Sequence, residues 1–435
     1  MPHTIPDPIH AGIRLTAEER GLLATRAFGR LGRIHQLSMM HLVYPGATHS
    51  RLEHSLGVME LATRIFDVIT DPANVMSEVR AALPELSDEE RCRYWRRVVR
   101  VAALCHDLGH LPFSHAAEKA LLPPGWTHER LTLAVILDEE IGGVMDGMGL
   151  RRLDVAKVAV GAGEAADLRF SAWERTMSQI IVADAFGADR IDYLLRDPRR
   201  AGTRCPGFDQ RRLIGALRIL PSGPRRMPSL GMLEAGLEPA ESLVNARHFL
   251  FSRVFHQQAL CTYDVHFGDF LRQWLPQGKY PVAVPEHLKI DDDQVAAACD
   301  EAARDARAPG HEAARCLRDR EPFKLVYCGR PRSAGLRRLP GRAIYEAAKR
   351  HFGPAGVRWN ARSVKSGLLR FPVQLRDGAI ALSTAVSRRL ARPPTACVEY
   401  VFVDPRLADR ARRWINERRE VIVARNEEYL HGCIA

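Results

Sequence analysis

Between Val99 and His115 the chain places an imidazole and a carboxylate side by side, His106 and Asp107, at the end of an apolar run, with His110 and His115 close behind. Nitrogen and oxygen donors of this kind suit a hard or borderline divalent metal ion. A metal centre needs three or four ligands arriving from different elements. Two further residues qualify by position. His54 falls at the start of a helical pattern, and Asp189 lies in an apolar one where an unpaired carboxylate would be costly. Each has an ordinary reading when taken alone. Histidine near the last carbonyls of a helix is favourable there without any metal. His54 could be a satisfied core histidine, and Asp189 a salt-bridge partner of Arg190 or Arg196. Their joint occurrence in the order His, His-Asp, Asp across helical segments favours a metal centre over these readings.

The elements that must position these residues are legible from period and punctuation. Thr16 to Ile34 reads as a helix or pair of helices, followed by a short extended piece, Leu42 to His49, broken by Pro45-Gly46. Ser50 and Glu53 have capping-box spacing, and apolar residues then recur at helical period through Leu56, Met59, Ile65 and Ile69. A helix from about Ser87 to Cys105 delivers His106 and Asp107 at its end. Ser114 to Leu121 and Thr127 to Leu137 read as further helices, the second capped by Thr127. Ala172 to Leu195 reads as one long helix carrying Asp189, terminated by Pro198. Helical period returns from Glu238 to Trp274. Prolines at 276, 281 and 285 then mark a joint, after which Lys324 to Cys328, Phe371 to Leu382 and Val398 to Val403 are strand-like and Asp404 to Arg418 forms a closing helix. The expected architecture is mainly α, a helical core over residues 1–276 with a smaller C-terminal α+β appendage over 277–435.

The totals exclude several classes. The chain has 435 residues, 46% of them hydrophobic, and a formal net charge of +11. No stretch reaches the apolar length of a membrane span, and the N-terminus has no signal-peptide pattern, so a cytoplasmic protein without a membrane partner is expected. Nine cysteines without a Cys-x-x-Cys pair argue for reduced thiols and against a zinc ribbon. The positive charge favours acidic partners such as nucleotides. Nucleic acid is a further acidic partner the charge allows, but it is not indicated, because no dense basic stripe is present.

The motif set Tyr44-Pro45-Gly46 through Arg51, His54 and Gly57, then His106-Asp107-Leu108-Gly109-His110 with Pro112 to His115, then Asp189-Arg190-Ile191-Asp192-Tyr193, resembles the HD superfamily of phosphohydrolases. Within it the motifs are most similar to the deoxynucleoside triphosphate triphosphohydrolase branch. The resemblance covers roughly residues 20–270, extends into the appendage through Asp291-Asp292-Asp293 and Arg320-Glu321-Pro322-Phe323-Lys324, and implies an HD-domain helical core. It implies that His54, His106, Asp107 and Asp189 bind a divalent ion, of which Mg, Mn, Fe, Ni and Zn are all chemically reasonable. It also implies that Arg51 and Arg190 contact phosphates and that His110, His115 and His128 surround the α-phosphate. Tyr193 and Asp197 would face the sugar, with Gln36 and Leu37 where the family reads the 3′-hydroxyl and crowds out a ribose 2′-hydroxyl.

His115 is the first choice for the acid that protonates the leaving oxygen, because Glu118 lies about one helical turn on and could orient it; His128 is the second choice. The implied substrate is a deoxynucleoside triphosphate, and the implied assembly a homo-oligomer (dimer, tetramer or hexamer) activated by a nucleotide, with the appendage in an oligomerisation or regulatory role. Two other readings stay open on the residues alone: an HD-type nucleotidase or phosphodiesterase acting on other nucleotides or single-stranded DNA, and a nucleotide-sensing or nucleic-acid-binding regulator.

Overall fold

The computed structural model describes residues 3–113, 118–165, 167–329, 340–363, 369–395 and 397–432. Mainly α is the observed class. The chain groups into two compact units that interleave along the sequence. One comprises Met1–Arg247, Tyr280–Val295 and Ser366–Pro394, the other His248–Lys279, Ala296–Lys365 and Thr395–Ala435. A single boundary at 276/277 therefore does not describe the packing. Among the described residues, no helix is long and apolar enough to cross a membrane, and the cysteines from Cys92 to Cys397 are all unpaired thiols.

The first unit is built on two long helices packed side by side, Arg51–Thr70 and Glu89–Cys105, which carry His54 and lead into His106. Both present apolar faces to one core: Val58, Leu61, Ala62 and Ile65 from the first and Val98, Val99, Ala102 and Leu104 from the second are sealed from solvent. The helices His128–Leu137, Arg152–Glu164, Ala172–Val182 and Ala188–Arg200 close around them. The single helix expected over 172–195 is two. Ala183 turns to an extended conformation (ψ 135°) and Gly187 starts a new helix, so that Asp189 sits in a first turn rather than mid-helix. Pro198 does not end that second helix, which runs on to Arg200; in a last turn a proline forfeits only one backbone bond. The stretch expected to be helical over 238–274 is likewise interrupted, by a π-helical turn at Phe251–Phe255.

Two small sheets complete this unit. The leader forms an antiparallel hairpin, His3–Asp7 with Ala11–Leu15. A four-stranded sheet runs Leu217–Ser222, Met227–Leu233, Pro372–Gln374, Ile380–Leu382, with its second and third strands parallel. The segment Tyr280–Val295 is a strap over the loop that follows His106. Arg30, fully buried, donates to the carbonyls of His110 (2.8 Å) and Ile290 (2.7 Å) and to the Tyr280 hydroxyl (3.3 Å). His287 bridges Tyr280 to the Leu108 carbonyl, 3.1 Å on each side. These bonds are why 280–295 packs with the first unit.

The second unit holds a three-stranded antiparallel sheet with Cys397–Val403 in the middle, flanked by Lys324–Gly329 and Val357–Ser363. Val401 and Val403 point into a core shared with Ile344 and Ala348 of the helix Gly341–Phe352 and Ala411 and Ile415 of the helix Ala408–Gly432. Tyr400 and Phe402 alternate to the opposite face, beside Cys261 and Phe323.

Candidate metal centre

The His54 helix begins with a complete capping box. Ser50 Oγ accepts from the Glu53 amide and the Glu53 carboxylate accepts from the Ser50 amide. This fixed start buries Arg51 and His54 one turn apart. One further turn along, Gly57 lies so close to the Asp189 helix that a Cβ there would sit 2.0 Å from Asp192 Oδ1. The absent side chain lets the two helices approach until carboxylates one turn apart on the second reach both nitrogens of one ring. Asp192 Oδ2 is 2.9 Å from His54 Nδ1 and Asp189 Oδ1 is 3.0 Å from Nε2.

His106 enters from the end of its own helix. Its Nδ1 is 2.7 Å from the Ala103 carbonyl, which fixes the proton on Nδ1 and leaves Nε2 as a lone-pair donor. That Nε2 is buried without a hydrogen-bond partner, 3.2 Å from Asp107 Oδ1 and 3.9 Å from Asp189 Oδ1. Ligand atoms of His54, His106 and Asp107 all lie within 4.8 Å of one another. Asp189, whose side chain is 39% exposed, forms the open side of the group. An orphaned imidazole nitrogen among converging carboxylate oxygens is the donor set of a divalent cation site, and these residues fit one.

The surrounding charges support that fit. Burial works against a charge on His54, but the Asp189 and Asp192 carboxylates outweigh it and push its pKa up to about 10. Burial would raise Asp107, yet His106, Arg51 and His110 hold it well below the usual carboxylate range. Asp192 is fully buried and serves as the hub behind the centre. It meets His10 Nε2 at 2.7 Å and accepts two bonds from Arg196, which also reaches Asp7 at 2.8 Å. A buried carboxylate with this many partners stays ionised and orients the ligand ring in front of it.

A second cluster stands beside the first. His110 Nε2 is 3.3 Å from Asp107 Oδ1, and its ring stacks on His128 with centroids 4.0 Å apart. Glu118 accepts from the His128 amide (3.1 Å) and pairs with His128 Nδ1 (2.8 Å). The stack depends on Gly109: a Cβ there would lie 2.1 Å from the His128 carbonyl, and the Gly109 amide donates to Thr132 Oγ1, which donates in turn to the His106 carbonyl. Burial lowers the pKa of both rings, but the outcomes diverge. Glu118 and Glu129 lift His128 above the ordinary histidine value, whereas burial, Arg51 and His128 leave His110 well below it. The carboxylates thus favour the protonated form of His128, and burial the neutral form of His110. His115 lies outside the described residues. Among the described residues, Glu118 pairs with His128.

The remaining sequence-derived residues assemble around this core. Arg51 donates to Asp107 Oδ2 at 2.6 Å. Arg190 reaches Asp184 at 3.4 Å and lies within electrostatic reach of Tyr193. Asp197 is buried against His49 Nε2 (3.0 Å), and the His49 carbonyl accepts from the Gln36 amide (2.9 Å). Gln36 Oε1 is buried without a partner, next to the buried Leu37. Three residues had no role assigned from the sequence. Asp192 was visible as a second acid one turn after Asp189. Arg247, which joins Tyr193 and lies within electrostatic reach of Arg190, carried no local signal. Asp292 stood in the resembling run Asp291-Asp292-Asp293 without a role assigned to it.

A mainly helical fold with a His, His-Asp, Asp centre defines an HD-type protein, and the HD domain family model matches residues 51–145. Residues 51–145 thus carry the HD-domain pattern, and the chain is similar to proteins of the dNTPase-like branch of the HD-domain phosphohydrolases. It is 31% identical over 252 residues to the uncharacterized protein YwfO of Bacillus subtilis, covering 57% of this chain and 50% of the relative. It is also 31% identical over 245 residues to the deoxynucleoside triphosphate triphosphohydrolase SAMHD1 of Gallus gallus, covering 51% of this chain and 37% of that one. The chain thus spans half or less of the length of these relatives. In fold it matches a hypothetical protein from Aquifex aeolicus of known crystal structure, with a TM-score of 0.76 and 24% identity over 95% of this chain and 99% of that one.

Proposed function

We propose that the protein is a metal-dependent deoxynucleoside triphosphate triphosphohydrolase that cuts at the α-phosphate, releasing deoxynucleoside and tripolyphosphate. The observation that carries this reading is the meeting of the His54, His106, Asp107 and Asp189 donor set with the stacked His110 and His128 beside it. His54, His106, Asp107 and Asp189 would hold the cation, which when bound supplies a Lewis acid for a phosphoryl oxygen and lowers the pKa of bound water. The similarity to SAMHD1 favours a triphosphate substrate.

The chain's own residues divide the remaining work. Arg51, Arg190 and Arg247 present guanidinium groups suited to phosphate oxygens. His128, cationic and held by Glu118, can donate a proton to the departing 5′-oxygen, and it is the acid we favour among the described residues. His110, neutral beside it, can share a phosphate oxygen only as a single N–H donor. Tyr193 and Asp197 would face the sugar, and Gln36 Oε1, an acceptor lacking a partner, suits a sugar hydroxyl. Activation by a nucleotide, assembly into a homo-oligomer and a regulatory role for the second unit belong to the same proposal.

The test is product identification. Protein loaded with Mn2+ is incubated with each dNTP and NTP, singly and mixed. Tripolyphosphate with deoxynucleoside is the expected outcome; release of only orthophosphate or pyrophosphate would sink it. Turnover that requires a dNTP mixture would mark an activating nucleotide site.

A further inference from the structure

One carboxylate outside the centre ties together two loops that both bear on it. Asp292 is 1% exposed. Its Oδ2 accepts from the His35 amide at 2.8 Å and meets His35 Nδ1 at 2.6 Å, while its Oδ1 accepts from the Phe113 amide at 2.7 Å. His35 opens the loop that carries Gln36, Leu37 and Ser38; Phe113 closes the loop that carries His106 to His110. The rings of His35 and Phe113 lie parallel, with interplanar angle 6° and centroids 6.0 Å apart, and His41 stacks on His35 at 5.2 Å.

Both loops contain a residue in a conformation that side chains rarely adopt, Ser38 at φ 51° and Phe113 at φ 51°. Strain of this sort persists only where the surroundings over-determine it. The first loop is over-determined indeed: the Gln36 amide donates to His49, and His35 bridges to Ser50 at the cap of the His54 helix. Held this way, it presents two buried polar atoms that lack partners, Gln36 Oε1 and Ser38 Oγ. Buried polar atoms without partners on a rigid loop are prepared for a ligand group rather than for the fold.

We propose that Asp292 is a positioning residue that clamps the 35–38 loop to the loop following His106, so that a ligand hydroxyl bound at Gln36 is held in register with the phosphate-facing histidines. The assignment of that ligand to a deoxynucleotide rests on the proposed function; the clamp itself does not. Its chemistry is that of a carboxylate facing three ring or backbone N–H groups from two loops. An amide replaces it poorly, because its Nδ2 is a donor and would oppose one of them. The neighbouring Asp291 does different work, pairing with Arg33 at 2.6 Å.

The experiment compares wild type with Asp292→Asn in the full Mn2+-loaded chain. Steady-state kinetics on dNTP and NTP should show kcat/KM for dNTP falling on the order of 10- to 100-fold, the scale of a small misplacement, with the loss in kcat as well as KM and with the deoxy-over-ribo ratio reduced. The second readout needs no catalysis: the His35 imidazole, followed by NMR, should titrate above the ordinary histidine value in wild type and fall back toward it in the variant. Unchanged kinetics together with an unchanged His35 midpoint overturn the clamp. If wild type hydrolyses no triphosphate, the proposed reaction fails and the His35 midpoint alone decides the clamp. Should Asp292→Asn not fold, His35→Ala removes the other half of the contact while leaving the Phe113 bond. A selectivity ratio equal to wild type in that variant then overturns the proposal.

Discussion

Two groups of histidines, one drawn from each compact unit, respond to burial in opposite ways. In the first, His54 faces Asp189 and Asp192, His128 faces Glu118, and His35 faces Asp292, and each of these rings is held above its ordinary pKa. In the second, burial, with help from Arg362 and His248, pushes His256 down to about 4. Burial together with Arg358 takes His266 to about 4 as well, only partly opposed by Asp269. His266 there accepts the Phe323 amide through Nε2, a neutral ring used as a backbone cap. Equal burial therefore has unequal meaning. Carboxylate partners favour the protonated ring in the first group, and burial favours the neutral ring in the second.

The largest break in that contrast comes from the centre itself. His106→Ala should lose bound Mn2+, measured by elemental analysis, and reduce dNTP turnover to background; retained turnover would show that the ligand set is misassigned. Next in size, His128→Ala should cost about 10²- to 10⁴-fold in kcat, the usual range for a general acid. Glu118→Gln should keep more activity but shift the loss of rate at high pH to lower pH. The sign follows from the carboxylate: Glu118 raises His128, so without it the ring surrenders its proton sooner as pH rises. An unmoved alkaline limb would remove His128 from the acid role.

Asp192→Asn tests the hub. It strips the charge shared by His10, His54 and Arg196, and we expect about 10- to 100-fold weaker metal binding by titration with a stability loss on the order of 3–5 kcal/mol in urea. The second unit should respond only to acid. His256 and His266 are neutral when folded, so as pH falls below about 6.5 the unfolded chain takes their protons first. Stability is then lost progressively until about pH 4, by at most roughly 3 kcal/mol for each ring. Denaturation midpoints from pH 7 to pH 4, for wild type and His266→Gln, measure it; an acid sensitivity equal in the two proteins would assign the effect elsewhere.

Much of the centre was legible because its parts are local. A capping box is four residues long, and His106-Asp107 at a helix end is one turn, so Ser50, Glu53, His54 and the pair could all be placed from spacing. Glycine was less so. Gly57 and Gly109 sit in the motifs, but what they make room for, the Asp192 carboxylate and the His128 carbonyl, comes from other helices. The break at Ala183–Gly187 went unread because apolar composition runs through it without interruption. The strap over 280–295 went unread because prolines at 276, 281 and 285 mark an end of helix without saying which way the chain returns.

Residue types and their spacing alone determined the mainly helical class, the four candidate ligands and the capped helix that starts them, since helix period and capping act over a few residues. Tertiary structure alone decided which acid serves which histidine. Glu118 is ten residues from His128, Asp192 is 138 from His54 and Asp292 is 257 from His35. Such pairings are chosen by which helices the core brings face to face, and nothing in the local sequence of either partner records the choice.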